Sequence, residues 1–195
     1  MRSRRAALRT GVMAALGGAM FAGWARPASA KGDARMTTEA NVAVVRGFYE
    51  GFNRGDLDAA LAQVAPQLVN HGRPAGKDGL RGVLEDILGR FPDCRMEPKE
   101  IVAAEDDVVA RCIYSGTHLG VQKRPFVDGG LLLGVPPTGR HFAVQHIHWW
   151  RLKEGLIVEH RANRDDVGMM LQLGLLTLPP LPADWRGPAS PPAAL

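Results

Sequence analysis

The chain has 195 residues, of which 24 are Lys or Arg and 20 are Asp or Glu, so its formal net charge is +4. Five arginines and no acidic residue lie in the first 30 positions, and removing these positions leaves 165 residues (195 − 30) with a net charge of −1 (+4 − 5). This balance argues against a nucleic-acid or anionic-membrane partner, and the length predicts one domain with its own core.

The first thirty residues have the pattern of an export signal. Ser3–Leu8 places a twin arginine in an SRRxxL context, the uncharged stretch Gly11–Trp24 follows, and Ala28–Ala30 supplies the small residues after which a signal peptidase cleaves. The apolar stretch is too short and too rich in glycine for a membrane-spanning helix. We therefore predict twin-arginine export to the periplasm or the medium, with residues 1–30 removed and no stable membrane insertion afterwards. An uncleaved membrane anchor is the alternative.

Three helices are predicted next, after a linker at residues 31–37. Apolar residues recur at spacings of three and four, Thr38 and Asp56 are candidate N-caps, and Pro92 ends the third helix. A brief extended segment, Leu68–Gly72, separates the second helix from the third. The predicted helices are Asn41–Asn53, a short one following Asp56 that carries Leu57, Leu61 and Val64, and Leu80–Phe91.

From residue 95 the apolar period changes to two, which predicts strands. A short closing helix, Asp165–Leu173, follows them, and a Pro- and Ala-rich tail takes up residues 179–195. The predicted fold class is therefore α+β, in a domain of residues 38–178. The long segment Leu119–Gly139 between the hairpins is either a cover over the sheet or a surface excursion. The predicted strands are Arg95–Ala104, Val108–His118, Arg140–Leu152 and Leu156–Asn163.

The two cysteines, Cys94 and Cys112, lie on adjacent predicted strands. The turn between the strands places Cys112 opposite about Lys99, too far from Cys94 for a disulfide. We expect two buried thiols.

Four histidines fall on strand faces that are otherwise apolar. If these faces point inward, together with Tyr114 and Trp150, the histidines surround one apolar cavity that suits a small molecule. A buried neutral imidazole destabilises the fold unless both nitrogens find partners, so hydrogen bonds or a ligand must account for them. These histidines are His118, His146, His148 and His160.

Other interpretations, which need no substrate-binding or catalytic role, remain open for these and neighbouring residues. Each histidine could be a satisfied core residue, and His146-x-His148 could equally contribute to a metal site. Asp165 and Asp166 could cap the last helix. Trp149 and Trp150 are more typical of packing than of a cofactor site.

Several short motifs occur in the order seen in SnoaL-like polyketide cyclases, and the chain resembles this family from about Asn41 to Gly174. The loop motif PPTGR followed by the closing QLG is the most specific combination, whereas GTH alone is weak. The motifs lie at Phe48–Asp56, Asn70–Gly72, Gly116–His118, Gly134–Arg140, Ile157–His160 and Gln172–Gly174.

The resemblance implies a cone-shaped, nuclear-transport-factor-two-like fold in which three N-terminal helices cover a curved antiparallel sheet, with an apolar pocket and a homodimer. In the characterised cyclases an aspartate near the end of the last strand acts as acid and base in an aldol closure, assisted by a histidine on the neighbouring strand. The histidine falls on His148, but the aspartate falls on Ala162. Asp165 is the nearest replacement.

The resulting hypothesis is an exported enzyme that uses acid–base chemistry, without a cofactor or metal, on a small apolar carbonyl or ester compound. His148 and Asp165 are the candidate catalytic residues. A non-catalytic binding module and a histidine-ligated metal protein are the alternatives. The candidate substrate-binding residues are His71, His118, His146, His160, Tyr114 and Trp150.

Overall fold

A computed structural model describes residues 37–124 and 131–186 of the chain. They all belong to one compact unit, Ala34–Leu195. The predicted signal at residues 1–30, the linker up to residue 36, residues 125–130 of the long segment and the end of the tail from residue 187 lie outside the described residues. No helix within the described ranges is long and apolar enough to span a membrane.

The described residues form four helices, and the N-caps explain where two of them begin. The Thr37 Oγ1 accepts a hydrogen bond from the Ala40 backbone N at 3.2 Å, so the cap of the first helix lies one residue before the predicted Thr38. Asp56 caps the second helix as predicted, with its Oδ1 accepting from the Ala59 backbone N at 3.0 Å. The helices are α1 (Thr38–Asn53), α2 (Leu57–Ala62), α3 (Gly76–Arg90) and α4 (Asp166–Gln172).

Helix α3 begins four residues before the predicted start at Leu80. Its first turn, Gly76–Gly79, is polar and rich in glycine, so it carries no apolar period from which a helix could be predicted. Glycine at position 76 is needed because its backbone φ is +66°, a conformation that other residues rarely adopt.

One six-stranded curved sheet packs against the helices, which confirms the predicted α+β fold class. The strand order is β2-β1-β6-β5-β4-β3, and every neighbouring pair is antiparallel except β1 and β6. The parallel β1–β6 pair aligns Asn70 with His160 and so brings the NHG motif beside the last strand. The strands are β1 (Val64–Asn70), β2 (Arg73–Pro74), β3 (Arg95–Ala104), β4 (Asp107–Thr117), β5 (His141–Lys153) and β6 (Leu156–Arg164).

Strand β5 follows the predicted alternation throughout its length, with even-numbered residues buried and odd-numbered residues exposed. On β6 the alternation is interrupted, because Leu152 pairs with Ile157 while Arg151 pairs with Glu159, which leaves Val158 as an extra, bulged residue. Strict alternation from His160 would have turned Leu156 and Val158 inward, but Ile157 is the fully buried residue there.

The core lies between α1 and the inner face of the sheet. The Trp150 Nε1 donates a hydrogen bond to the Tyr49 hydroxyl at 3.0 Å, and the Phe48 ring packs 4.8 Å from the Trp150 ring, centroid to centroid. Cys94 and Cys112 are buried free thiols, as predicted, and Cys112 pairs with Pro98, next to the expected Lys99.

Two of the motifs shared with the family, QLG and PPTGR, meet beside strand β5. The Gln172 side chain accepts from the Ala143 backbone N at 2.7 Å and donates to the Ala143 carbonyl at 3.1 Å, which joins α4 to β5. Gly174 lies against Arg140, and a Cβ at position 174 would come 2.3 Å from the guanidinium. Gln172 and Gly174 of the closing QLG motif therefore make structural contacts.

Candidate active site

A cavity of about 110 Å³ lies between α1, α3 and the inner face of the sheet. Helix α3 supplies an apolar wall that includes Leu80, Leu84 and Ile87. Polar side chains are concentrated opposite, on β4, β5, β6 and the end of β1. They are Asn70, His71, Tyr114, His146, His148 and His160, with Arg164 and Asp166 following at the end of β6.

The cavity opens towards the end of β6. A wider surface depression there shares four lining residues with the cavity and therefore forms its mouth. These shared residues are His71, Ala162, Arg164 and Asp166. His71 has a backbone φ of +51°, unusual for a residue other than glycine, and its backbone N donates to the His160 carbonyl at 2.8 Å.

A continuous chain of hydrogen bonds joins β1, β6 and β5 inside this wall. The Asn70 Oδ1 lies 2.8 Å from the His160 Nδ1, and the His160 Nε2 lies 2.9 Å from the His148 Nδ1. All three side chains are buried. The β1–β6 and β5–β6 pairings fix these spacings, since Asn70 aligns with His160 and His148 aligns with Ala162.

Four imidazole rings lie in a row from the interior of the cavity to its mouth. The ring centroids lie 5.6 Å apart between His146 and His148, 5.2 Å between His148 and His160, and 5.4 Å between His160 and His71. Three of the four histidines predicted to surround one apolar cavity, His146, His148 and His160, therefore do so, and His71, predicted separately to bind substrate, lies beside them.

Burial keeps the inner three imidazoles neutral at pH 7. Desolvation, reinforced by the positive charge of Arg164, lowers the pKa of His146 to about 4; Asp165 acts in the opposite direction. Desolvation and then the neighbouring His146 lower the pKa of His148 to about 3. The pKa of His160 is lowered well below its ordinary value, again mainly by burial.

Two imidazole nitrogens in the cavity wall lack hydrogen-bond partners among the described residues. They are the His146 Nδ1 and the His148 Nε2, and both atoms are buried. Buried polar atoms in proteins are nearly always paired, so such orphaned atoms call for an explanation, such as a ligand that pairs with them. A ligand in the cavity could pair with these two nitrogens.

Asp165, predicted to be catalytic, does not line the cavity. It is exposed, and its Oδ1 accepts from the Gly168 backbone N at 2.8 Å as the N-cap of α4. The neighbouring Asp166 lines the cavity instead, and its Oδ2 accepts from the Arg164 Nη2 at 3.0 Å. Asp166 is the first residue of α4, so no strand pattern in the sequence distinguished it from Asp165.

His118 also lies outside the cavity lining, contrary to the prediction. The chain leaves the β4 ladder at Thr117, so the strand alternation no longer determines which way His118 points. The His118 Nδ1 accepts from the Thr138 backbone N at 3.3 Å, and its ring lies 5.6 Å from the Phe91 ring. His118 thus joins the GTH motif to the PPTGR loop.

The other two candidates, Tyr114 and Trp150, line the cavity as aromatic wall residues. The Tyr114 ring lies 4.6 Å from the His146 ring, and the Trp150 ring lies 4.2 Å from the His160 ring and nearly parallel to the His148 ring. Burial raises the pKa of Tyr114 well above its ordinary value, so its phenol stays neutral.

The described parts of the long segment Leu119–Gly139 contribute Gln122, Leu131 and Leu132 to the cavity wall. The Gln122 Oε1 accepts from the Arg90 Nη1 at 3.1 Å and from the Leu132 backbone N at 3.2 Å. The sequence did not indicate this buried cluster, because Gln122 and Arg90 lie 32 positions apart in segments with no shared period.

No group of three or more His, Cys, Asp or Glu side chains within residues 37–124 and 131–186 is arranged to hold a metal ion. In this row of histidines, the facing nitrogens of His148 and His160 are hydrogen-bonded to each other, so they do not converge on a point where a metal ion could bind. The geometry therefore does not favour the metal site considered from the HxH motif.

Comparisons with known proteins give consistent results. Residues 43–173 match the family model "SnoaL-like polyketide cyclase". The aklanonic acid methyl ester cyclase DnrD of Streptomyces peucetius is 42% identical over 158 residues, which cover 77% of this chain and 99% of that protein. The nogalonic acid methyl ester cyclase of Streptomyces nogalater is 29% identical over 143 residues, which cover 69% of this chain and 96% of that protein.

Solved structures agree with the sequence comparisons. The structure of IdmH, a candidate polyketide cyclase of Streptomyces antibioticus, superposes with a TM-score of 0.57 and 34% identity, covering 69% of this chain and 98% of IdmH. Other matches include SnoaL-like and nuclear-transport-factor-two-like proteins, which confirms the fold that the resemblance implied.

Proposed function

The chain belongs to the SnoaL-like polyketide cyclase family, and from this we propose that it is a cofactor-independent enzyme that closes a carbon–carbon ring by acid–base chemistry. The observation that carries the proposal is the orphaned His148 Nε2, which belongs to a neutral imidazole in the wall of an apolar cavity. A neutral imidazole can accept a proton, and acid–base catalysis by a positioned side chain needs such a group.

The proposed reaction is an isomerisation in which no atom is gained or lost. The His148 Nε2 takes a proton from the carbon next to a carbonyl group, or from the hydroxyl of the corresponding enol, and either loss leaves the same enolate. The enolate carbon attacks a second carbonyl of the same molecule, which forms the new bond and an alkoxide. The imidazolium of His148 then returns its proton to the alkoxide. This cycle needs neither an oxidant nor a reductant.

Arg164 supports the charge that develops in this reaction. Its positive charge contributes to the lowered pKa of both His146 and His148, so its field reaches the inner part of the cavity. The same field stabilises an enolate in the cavity. The negative charge of that enolate, beside His148, in turn favours the imidazolium that forms with it. Asp166 holds the guanidinium at the mouth through hydrogen bonds from Nε at 3.2 Å and Nη2 at 3.0 Å.

The proposed substrate is a small, mostly apolar compound with several carbonyl groups, one of them in an ester. The apolar wall of α3 suits ring systems, and the relatives named above are cyclases of acid methyl esters. Ala162 stands where the resemblance places an aspartate, so here the proton transfer is assigned to His148 alone. A non-catalytic binding module is the competing function that this alanine favours.

The proposal is tested with the chain from Lys31 onward and aklanonic acid methyl ester, following the conversion to its cyclised isomer by chromatography. We expect turnover that falls at least 100-fold in His148→Ala and is unchanged in His141→Ala, a histidine that is exposed and outside the cavity lining. Tight binding of the ester without turnover by the unaltered protein would establish the binding module instead. Equal turnover by His148→Ala would remove His148 from the mechanism.

We also propose that the protein acts outside the cytoplasm as a homodimer. The twin-arginine pattern of the leader supports export. The outward face of β5 supports dimerisation, because Ile147 and Trp149 are 49% and 47% exposed there. Light scattering should show a dimer that dissociates in Trp149→Lys and persists in Trp185→Lys, which alters an exposed tryptophan outside the sheet. A monomeric parent protein would contradict the dimer.

A further inference from the structure

The chain of hydrogen bonds from Asn70 to His148 fixes where each hydrogen lies. The Asn70 Oδ1 can only accept, so the His160 Nδ1 at 2.8 Å must carry the hydrogen. In a neutral imidazole the other nitrogen then has a lone pair, so the His160 Nε2 accepts from the His148 Nδ1 at 2.9 Å. The His148 Nε2 is consequently left with a bare lone pair and no partner among the described residues.

We propose that this site selects ligands that present a hydroxyl hydrogen, as phenols and enols do, to the His148 Nε2, and that Asn70 and His160 are the positioning residues that impose this requirement. The inference deepens the proposed function, because it states which form of the carbonyl substrate binds: the enol, whose O–H points at the base. A ligand that offers only carbonyl or ether oxygens leaves the His148 Nε2 unpaired.

The surroundings of the His148 Nε2 fit a hydroxylated ring. The cavity, at about 110 Å³, is of the order of the engineered cavity of about 150 Å³ that admits benzene, and it opens at the end of β6, where further rings of a ligand can extend into the mouth. The Arg164 guanidinium, aligned across the ladder with His146, favours the partial negative charge that a hydroxyl oxygen gains when it donates its hydrogen. Removing the hydroxyl hydrogen leaves a buried acceptor unsatisfied, and this penalty generates the selectivity.

If every hydrogen bond from Asn70 through His160 to His148 ran in the opposite direction, the site would select a different class of ligand. This reversal requires the Asn70 amide to turn its Nδ2 towards His160, which would place a hydrogen on the His148 Nε2 and make the site select bare acceptors. In the structure the Oδ1 faces His160. The tautomer of His148 therefore decides between the two ligand classes.

Binding of a matched pair of ligands tests the selectivity directly. Calorimetry with 2-naphthol and its methyl ether, which differ only in the hydroxyl hydrogen, should show that the naphthol binds about tenfold or more tightly to the chain from Lys31 onward. Equal affinity, or tighter binding of the ether, would overturn the inference. Neither ligand can be cyclised, so the result does not depend on catalysis.

Two Asn70 variants test the positioning role. Asn70→Asp keeps an acceptor oxygen and should keep the preference for the naphthol, whereas Asn70→Leu removes the acceptor and should lose the preference while still binding the ether. Nitrogen-detected NMR at pH 8 should find the hydrogen on the His148 Nδ1 in the parent and in Asn70→Asp. A hydrogen on the Nε2 of the parent protein would refute the proposed tautomer.

The cyclase function and the requirement for a hydroxyl hydrogen can be refuted independently of each other. A protein that prefers the naphthol but does not turn over the ester retains the hydroxyl-selective site and loses the cyclase function. A protein that cyclises the ester but binds the naphthol and its ether equally retains the cyclase function and loses the hydroxyl requirement.

Discussion

His148 and Ala162 are directly opposite each other in the β5–β6 ladder, and both side chains line the cavity. The side chain facing the His148 imidazole is therefore only a methyl group. A carboxylate at this position would make the imidazole a stronger base. Opposite residues in an antiparallel pair have Cβ atoms about 4.5–5.5 Å apart, close enough for a carboxylate at position 162 to act on His148.

The first prediction is that Ala162→Asp raises the pKa of His148 by about 1–3, because an opposite charge at this range favours the imidazolium. With a starting pKa of about 3 the parent ring stays neutral at pH 5, so NMR of the ring at pH 5 detects the imidazolium that the carboxylate favours. A stronger base should also increase the rate of ring closure. Ala162→Asn is the matched control, with the same size and no charge, and it should leave the pKa low. An equal rise in both variants would show that the carboxylate is not responsible.

The second prediction concerns stability at acidic pH. The folded-state pKa values of His146 (about 4) and His148 (about 3) lie below the unfolded value near 6.5, so the unfolded chain binds more protons between these limits. The free energy of unfolding is therefore highest above about pH 6.5 and falls as the pH drops, by roughly 1.4 kcal/mol per pH unit for each histidine. Urea unfolding at pH 7, 6 and 5 measures this slope.

Substitutions identify the groups responsible for the acid sensitivity. His148→Asn should reduce the slope, and His141→Asn, which alters an exposed ring, should not. A slope that is the same in His148→Asn and in the parent protein would assign the acid sensitivity to other groups.

The third prediction is that the exported protein begins at Lys31. The A-x-A site ends at Ala30, and the twin arginine Arg4–Arg5 precedes the apolar stretch. Mass spectrometry of the protein from the exported fraction checks the new N-terminus. Replacing both arginines by lysine should retain the full-length chain in the cytoplasm, whereas Arg9→Lys, outside the pair, should not. Export of the double variant at the parent level would exclude the twin-arginine route.

The sequence was most informative where local pattern alone decides the structure. Strand β5 is half-buried, so strict alternation identified His146, His148 and Trp150 as inward-facing. The side-chain cap at Asp56 was likewise predictable, because a cap needs only neighbouring residues.

The sequence was least informative where distant segments meet or a pattern ends. The parallel β1–β6 pairing, which brings Asn70 to His160, involves residues 90 positions apart and leaves no periodic trace. His118 was misplaced because it lies just beyond the end of β4, where alternation no longer fixes the direction of a side chain. Asp165 was chosen as the nearest replacement for the missing aspartate, but its side chain caps α4 instead.

The fourth prediction concerns the buried cluster that holds the long segment against α3. Gln122→Ala leaves the Arg90 Nη1 and the Leu132 backbone N without this acceptor, so the free energy of unfolding should fall by about 1–3 kcal/mol. Lys123→Ala is the control: the Lys123 backbone N donates to the Asp86 Oδ1 at 2.8 Å, and this bond survives the substitution. Equal stability of the Gln122→Ala and Lys123→Ala proteins would show that the Gln122 contacts contribute nothing.

The fifth prediction compares the same substitution at two helical glycines. A Cβ at Gly51 would lie 2.5 Å from the Ala60 backbone N, so Gly51→Ala must push α1 and α2 apart, and we expect a loss of about 1–3 kcal/mol. At Gly89, in the last turn of α3, a Cβ would meet nothing within 4 Å, and alanine favours the helix. Gly89→Ala should therefore be neutral or up to about 1 kcal/mol more stable in thermal unfolding. A Gly51→Ala protein as stable as Gly89→Ala would contradict the close contact between α1 and α2.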